Sequence, residues 1–482
     1  MLDLFSTYAG KAAVICGDIR LDYSELGARA SAMAENLQRR GLRPGDLLGV
    51  YCSPSTEFVA LLAACVHSSI VVCPLSTRLP EAAAAEHLKR LDARFLVSDK
   101  TLRGLAVGRI PIGDLCMEAP GGHALKPPGP PSDTGRPATI IMTSGSSGQP
   151  KAVVHSLANH LASARAANAN MPLRPGERWL LSLPLYHVAG LGVLFRCFVA
   201  GAAVVVPAPG EGLVDAIKSR TVTHVSLVPT QLHRMLREDR PLKALMLLRG
   251  ILMGGAPMPP SLVEEAVGHG LAIHTSYGMT ETAAQIVCTR PGDTFEHLLT
   301  SGRSLALDTV SISDGGEIQV RGEALFQGYL SPGGALDRPL LTPEDWFQTG
   351  DLGHLDPDGY LHVTGRKDNM FISGGENIQP EEIEAALLQI EGVAQAMVVP
   401  KDDDGFGQRP VAFVEMDEEF ALDPEEILRE LEGSLPRFRL PVGLYRWPEC
   451  VGEGMKPSRP EFEQLANSAT LSREARRGGP SK

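Results

Sequence analysis

Up to about residue 276 the chain repeats one pattern: a helix-period stretch, then a short β-branched or aliphatic run. Helical spacing runs through residues 21–40, Gly41 closes it, and residues 46–51 read as a strand. A helix over about 56–66 and a strand over 70–73 repeat the unit. Residues 179–182, 202–206, 224–228, 251–253 and 273–276 continue the series, with Thr230 as the expected N-cap of a helix running through Arg237. Strands separated by helices pair in parallel, and a parallel sheet has to be covered on both faces. The pattern therefore predicts an α/β fold with helices packed on parallel sheets. After about residue 301 the period changes. Residues 309–312, 317–320 and 361–363 are short alternating runs between glycine turns, which predicts antiparallel or barrel-like sheet. A helix over 380–388 with strands over 394–399 and 410–415 predicts a smaller α+β domain. The Pro- and Gly-rich stretch 119–137 reads as a loop, and the tail from about 466 has too few large apolar groups to pack.

Charge limits what such a fold can bind. Forty-five Lys and Arg stand against 57 Asp and Glu, a net charge of −12, so the surface as a whole repels polyanions such as nucleic acid. Any anionic ligand must be held by a local site. No apolar run approaches the roughly 18 residues of a membrane span. The eight cysteines show no CxxC spacing and mostly sit in apolar stretches, as small buried hydrophobes do, so neither a metal cluster nor a disulfide framework is expected. With no secretory signal at the N-terminus, a cytoplasmic location is expected.

One segment meets the requirement for a local anion site. Residues 139–151, TIIMTSGSSGQPK, run from a β-branched strand into a loop of glycines and hydroxyls that ends in a lysine. Glycines let backbone N–H groups approach phosphate oxygens, the hydroxyls of Thr143, Ser144, Ser146 and Ser147 add donors, and Lys151 adds charge. It is not a Walker A loop, because Gly145 and Gly148 are three apart and Lys151 follows Gln-Pro.

The loop resembles the signature phosphate loop of the adenylate-forming superfamily of acyl-CoA synthetases, peptide-synthetase adenylation domains and luciferases. The resemblance continues in register through LPLYH at 183–187, GGAP at 254–257, SYGMTE at 276–281, TGD at 349–351, GRKDN at 365–369, SGGEN at 373–377 and KPSR at 456–459. It implies a large N-terminal domain (1–366) of two stacked βαβ-type sheets plus a small β-barrel, and a mobile α+β C-terminal cap (367–482). It further implies ATP and CoA as substrates and Mg²⁺ as cofactor. By this resemblance Tyr277 and Gly278 pack on adenine with Gly254, Gly255 and Ala256, Thr280 contacts the α-phosphate, and Glu281 helps to hold Mg²⁺, a cation that prefers hard oxygen ligands. Asp351 and Arg366 serve the ribose, Asp368 is the hinge, and Gly374, Gly375 and Glu376 face CoA. Lys456 is the catalytic cation where the carboxylate meets the α-phosphate, although its lead-in departs from the usual Pro-Lys-Thr.

Residues 188–200 are almost wholly apolar and contain one charge, Arg196. Burying a guanidinium is expensive, so Arg196 is expected to have an anionic partner, either a structural Asp or Glu or a substrate carboxylate. Residues 180–196, 226–232 and 373–382 look closest to the o-succinylbenzoate–CoA ligases of menaquinone biosynthesis, in which an arginine at this position is associated with the distal carboxylate of a dicarboxylic substrate. Tyr186 and His187 would then border an aryl pocket, His187 with a part in catalysis, and Thr230, Gln231 and Ser276 would line it. The expected partners are ATP, CoA and an aromatic dicarboxylic acid, with room for a homo-oligomer. Another aryl- or acyl-CoA ligase, or an adenylation domain that loads a carrier protein, stays open as an alternative.

Overall fold

The computed structural model describes residues 2–100, 108–116, 134–143, 150–307, 309–403, 405–417, 419–448 and 458–468. One sheet has nine strands, in the spatial order Arg303–Ser304, Ala284–Cys288, Ile273–Met279, Gly250–Met253, His224–Leu227, Arg178–Leu180, Ala203–Val206, Ala12–Cys16 and Ile19–Asp22. Its centre is parallel and both edges are antiparallel. A second sheet has eight strands: Leu336–Asp337, Gly328–Leu330, Lys151–Ser156, Pro137–Thr143, Val71–Pro74, Leu47–Tyr51, Phe95–Ser98 and Gly108–Pro111. It turns from parallel to antiparallel where Pro137–Thr143 meets Lys151–Ser156.

Helices fill the space between the two sheets. Helix Thr56–His67 has a single charge, Glu57, at its start and buries nearly every other residue, as a helix covered on all sides must. It shares one core with Leu48 and Val50 of the smaller of these sheets, Val14 and Val204 of the larger, and Leu194, Phe195 and Phe198 of helix Val188–Ala200. Truncating a fully buried phenylalanine such as Phe195 to alanine costs about 3–5 kcal/mol. Local signals set the helix starts. Asp22 and Glu25 form a capping box, and Ser55 and Ser156 cap the helices that follow them. The expected Thr230 cap is corrected: the helix is Pro229–Leu236 with Val228 at its N-cap, because proline suits the first helical position. Thr230 lies in the first turn, and the Gln231 side chain accepts from the Val228 N–H at 3.1 Å.

Strands Val310–Ile312, Glu317–Val320, Phe347–Leu355 and Leu361–Arg366 form the antiparallel sheet expected after residue 301, with no closing pair among the described residues. It joins the nine-stranded sheet through the Arg303–Tyr360 bridge and the Leu361 N–H donated to the Gly302 carbonyl at 2.8 Å. Five further strands, Phe371–Ser373, Glu376–Ile378, Val393–Asp403, Gly407–Met416 and Leu444–Arg446, carry helices on both faces. Alternate residues of the long hairpin feed two cores. Val398, Ala412 and Val414 pack with Ile383, Leu387 and Ile427, whereas Val399, Val411 and Phe413 pack with Phe462 and Ala466. Ala466, expected to begin a loose tail, is therefore buried, and residues beyond 468 lie outside the described residues. Among the described residues no helix is long and apolar enough to cross a membrane.

Candidate active site

Strand Ile273–Met279 outruns its parallel neighbour. Met253 pairs with Thr275, and from Ser276 onward the only ladder is antiparallel, to Ala284–Cys288. Gly278 is required there, since a Cβ would stand 2.2 Å from the Ala284 carbonyl oxygen. The strand ends in a tight Thr280–Thr282 turn followed by Ala283 at φ 55° and Ala284 at φ 155°. Positive φ on a residue with a Cβ costs on the order of 1–3 kcal/mol, so the surroundings must hold the turn. The Thr282 hydroxyl accepts from the Met279 N–H at 3.1 Å and donates to the Ala284 carbonyl at 2.8 Å. The Phe326 N–H reaches the Glu281 carbonyl at 2.8 Å. His155, on the strand that follows the glycine–hydroxyl loop, approaches the Thr280 carbonyl with Nε2 at 2.7 Å.

The Glu281 carboxylate is buried, and its Oε1 accepts from the Tyr329 hydroxyl at 2.8 Å. Burial first, and this carboxylate second, hold the Tyr329 phenol far above its ordinary pKa. Lys151 Nζ stands 5.2 Å from the centre of the Tyr329 ring, so a cation, an aromatic hydroxyl and a carboxylate succeed one another across the site. Thr143 and Lys151 are a cross-strand pair that closes the base of the loop. Ser144, Gly145, Ser146, Ser147 and Gly148 lie outside the described residues, as does Lys456. The second oxygen of Glu281 has no protein partner among the described residues, a hard donor of the kind Mg²⁺ takes alongside phosphate oxygens.

Asp351 connects the small antiparallel sheet to this strand. Its Oδ2 accepts from the Tyr277 hydroxyl at 2.6 Å and its Oδ1 from Arg366 Nη1 at 2.8 Å. Arg366 also reaches Asp368 at 3.3 Å. Burial disfavours the Arg366 charge, but the two carboxylates outweigh it and raise its pKa. Burial, reinforced by Asp351, pushes the Tyr277 phenol well up. Gly350, at φ +75°, aims its N–H at Glu317 at 2.9 Å. Opposite, Gly254 passes close to Ser276, whose hydroxyl donates to the Met253 carbonyl at 2.7 Å, while Gly255 and Ala256 are exposed.

On the other side of the larger sheet's exposed end, Tyr186 and His187 precede helix Val188–Ala200, with ring centroids 4.6 Å apart. His187 is exposed at the helix N-cap, and Gly190 lets the helix begin against the Pro184 carbonyl, 2.2 Å from where a Cβ would lie. Tyr186 lines a 230 Å³ cleft with Phe58, Leu75, Arg78, Leu181 and Pro184. Arg196, two turns further along the helix, is 2% exposed. Of the two anionic partners expected for it, a structural Asp or Glu is not there among the described residues. Its Nε donates to Asn168 Oδ1 at 3.0 Å, Nη2 reaches the Ala167 and Met171 carbonyls at 3.4 and 3.2 Å, and the guanidinium lies 4.2 Å from the Trp179 ring centre. Both carbonyls lie at the end of helix Leu157–Asn170, where the Ala167 oxygen also accepts from the Met171 N–H at 2.9 Å, and a helix C-terminus is a partial negative charge. Nη1 is buried with no hydrogen-bond partner. Burial pushes the Arg196 pKa down to about 10.

In the smaller part of the chain Asp368 sits exposed in a short turn beside Arg366. Gly374 and Gly375, at φ 59° and 93°, form the two-residue turn of the Phe371–Ser373/Glu376–Ile378 hairpin, the geometry that demands left-handed residues. Glu376 is exposed next to them.

Residues 5–330 match the AMP-binding enzyme family, and residues 382–450 match the AMP-binding enzyme C-terminal domain. The chain belongs to the AMP-binding enzymes. Among its relatives, the 2-succinylbenzoate–CoA ligase of Haemophilus influenzae is 35% identical over 460 residues, covering 94% of this chain and 93% of its own. The o-succinylbenzoate CoA synthetase of Bacillus subtilis, solved with the acyl-adenylate intermediate OSB-AMP, superposes with a TM-score of 0.82 at 28% identity over 95% of this chain and 97% of that one. The same synthetase solved with ATP and a magnesium ion gives a TM-score of 0.78 at 29% identity, over 92% and 95%. Sequence reasoning identified the AMP-binding motifs but not His155 or Tyr329, which lie outside the roles drawn from them. A buried strand histidine carries no local signal of its partner 125 residues away.

Proposed function

We propose that this AMP-binding enzyme ligates o-succinylbenzoate to coenzyme A through an acyl-adenylate, releasing AMP and pyrophosphate. The observation that carries the acid assignment is Arg196, a buried guanidinium with one unpartnered donor and no acidic neighbour among the described residues. A charge so placed favours an anionic ligand, and arginine's fork suits a carboxylate. A dicarboxylate can be held by one acid and activated at the other. The relationship to 2-succinylbenzoate–CoA ligases supports the choice of acid.

In the first half-reaction a substrate carboxylate oxygen attacks the α-phosphorus of ATP and the bond to pyrophosphate breaks. Tyr277 and the Gly254–Gly255–Ala256 segment flank adenine, and Asp351, already oriented by Tyr277 and Arg366, accepts from the ribose hydroxyls. Thr280, Lys151 and the hydroxyls and N–H groups of residues 143–148 hold the phosphates, and Lys456 meets the charge that shifts at the reacting centre. Mg²⁺, held by Glu281 and phosphate oxygens, supplies charge neutralisation for the pyrophosphate. Tyr186, His187, Thr230 and Ser276 border the acid. Residues 367–482 then swing about Asp368, bringing the Gly374–Gly375–Glu376 turn to the site, and the CoA sulfur attacks the acyl carbonyl and expels AMP. We place this chemistry in the cytoplasm.

Acid-dependent ATP–pyrophosphate exchange tests the reading. Exchange is expected with o-succinylbenzoate and to be much weaker with analogues lacking the second carboxylate; equal exchange with benzoate analogues sinks it. Lys456→Ala is expected nearly to abolish adenylation while sparing thioester formation from supplied acyl-adenylate, and equal loss in both halves would remove Lys456 from its role.

A further inference from the structure

Two histidines next to the phosphate loop have no part in the scheme above. His155 and His160 are buried, with rings 5.0 Å apart, and His160 stacks on Phe195 at 4.4 Å. His160 Nε2 contacts the Thr139 hydroxyl at 2.7 Å, on the strand that enters the loop. His155 lies on the strand that leaves it. A carbonyl oxygen only accepts, so the 2.7 Å contact to Thr280 requires a proton on His155 Nε2. Burial holds the ring neutral, with its pKa near 4, and Nδ1 is left bare without a partner. The imidazole is thus committed to a single donated bond. That bond ends on the peptide between Thr280 and Glu281, inside the turn closed by Ala283 and Ala284 at positive φ.

We propose that His155 is a positioning residue for adenylation: its Nε2–H pins the Thr280 carbonyl and so fixes the Glu281 carboxylate and the Thr280 hydroxyl against the phosphates held by the loop. The phosphate loop and the Thr280–Glu281 turn come from different sheets and are far apart in sequence. Phosphates bound by both require one spacing, which the Tyr329 hydroxyl on Glu281 and His155 on Thr280 both help to set. His155 is a direct side-chain strut between the loop's exit strand and the turn. The ring donates to Thr280 on one side and lies 5.0 Å from the His160 ring. This inference rests on the adenylation chemistry proposed above.

The test compares H155Q, whose amide nitrogen can occupy the position of Nε2, with H155M, of similar length and without a donor. Each is assayed in the full chain for acid-dependent pyrophosphate exchange across a Mg²⁺ titration, and for thioester formation from supplied acyl-adenylate. Outer-shell hydrogen-bond partners of ligating groups are worth about 10–100-fold, so H155M should lose roughly that much exchange and need more Mg²⁺ for half-maximal rate. H155Q should recover most of it, and both variants should lose much less thioester formation than exchange, since that half-reaction needs neither Mg²⁺ nor the pyrophosphate site and keeps only the Thr280 contact to the α-phosphate. Equal losses in H155Q and H155M, or equal losses in both half-reactions, would overturn the assignment and leave His155 a packing residue. Thermal midpoints of the two variants control for folding; if H155M fails to fold, H155Q alone decides, because an unchanged Mg²⁺ requirement and near-parent exchange are required of it. The comparison uses whichever acid the parent activates, so failure with o-succinylbenzoate breaks the substrate reading without touching this one.

Discussion

Arg366 and Arg196 answer the cost of withdrawing a guanidinium from water in opposite ways. Arg366 is paired with two carboxylates, Asp351 and Asp368, which raise its pKa above the ordinary value. Arg196 is surrounded by an amide, two peptide carbonyls and an indole face, and its pKa falls to about 10. The first arrangement has its charge answered by protein carboxylates before any ligand arrives, which suits the neutral ribose hydroxyls proposed for it. The second is incomplete, and an incoming anion would compensate a charge that the protein does not. On the proposed function the two sides of the site would recruit ligands differently, one by prearranged acceptors and one by an unanswered cation.

Arg196→Met presses hardest on this contrast. Removing one member of a buried charge pair costs about 2–5 kcal/mol, so kcat/KM for o-succinylbenzoate should fall by about 100-fold while that for a mono-acid analogue changes little. A uniform loss on both acids would make Arg196 structural. Arg366→Met should act on the nucleotide instead. Because Arg366 is partly exposed and shares Asp351 with Tyr277, we expect about a tenfold rise in the KM for ATP, with the preference among acids unchanged. A change of acid preference would merge the two sides into one site.

Acid conditions bear on the arginine with no carboxylate. His224 stacks on Trp179, the ring that also carries Arg196, and its pKa is pushed down to about 4, mainly by burial and in smaller part by Arg196 among other cations. The unfolded chain takes up this proton near the ordinary histidine value of 6.5, and the folded one only near 4. Stability is therefore complete above about 6.5 and drains away as pH falls, by up to about 1.4 kcal/mol per pH unit for this group. Urea midpoints at pH 7 and pH 5 should show the decline, and a flat profile would mean that the ring is not held neutral. The smallest effect expected is in Arg196→Met itself, where the His224 titration followed by NMR should move up by less than about one unit.

The sequence period and turn chemistry were enough to read the alternating elements of the large sheets and the antiparallel segment after residue 301. They misassigned the start of helix Pro229–Leu236, where a proline at the first helical position outweighed a hydroxyl one residue later. Motif residues were legible because each is a local string. Their interlocking was not: Tyr277 meets Asp351 across 74 positions, and Arg196 meets Asn168 across 28. Spacing could show that Arg196 needed compensation. It could not show that a helix terminus and an indole ring would supply part of it, because those groups carry no formal charge to search for.

Strand Ile273–Met279 has a further consequence. Ser276 and Tyr277 are adjacent in its extended part, so their side chains leave opposite faces of one backbone. One faces the Gly254 segment and the Met253 carbonyl, the other Asp351. On the proposed function both faces meet the nucleotide, one through the adenine-flanking Gly254 segment and the other through Asp351, and only the Ser276 face also borders the acid. On that reading a change at Ser276 is felt by adenine and acid together, whereas a change at Tyr277 is confined to the nucleotide.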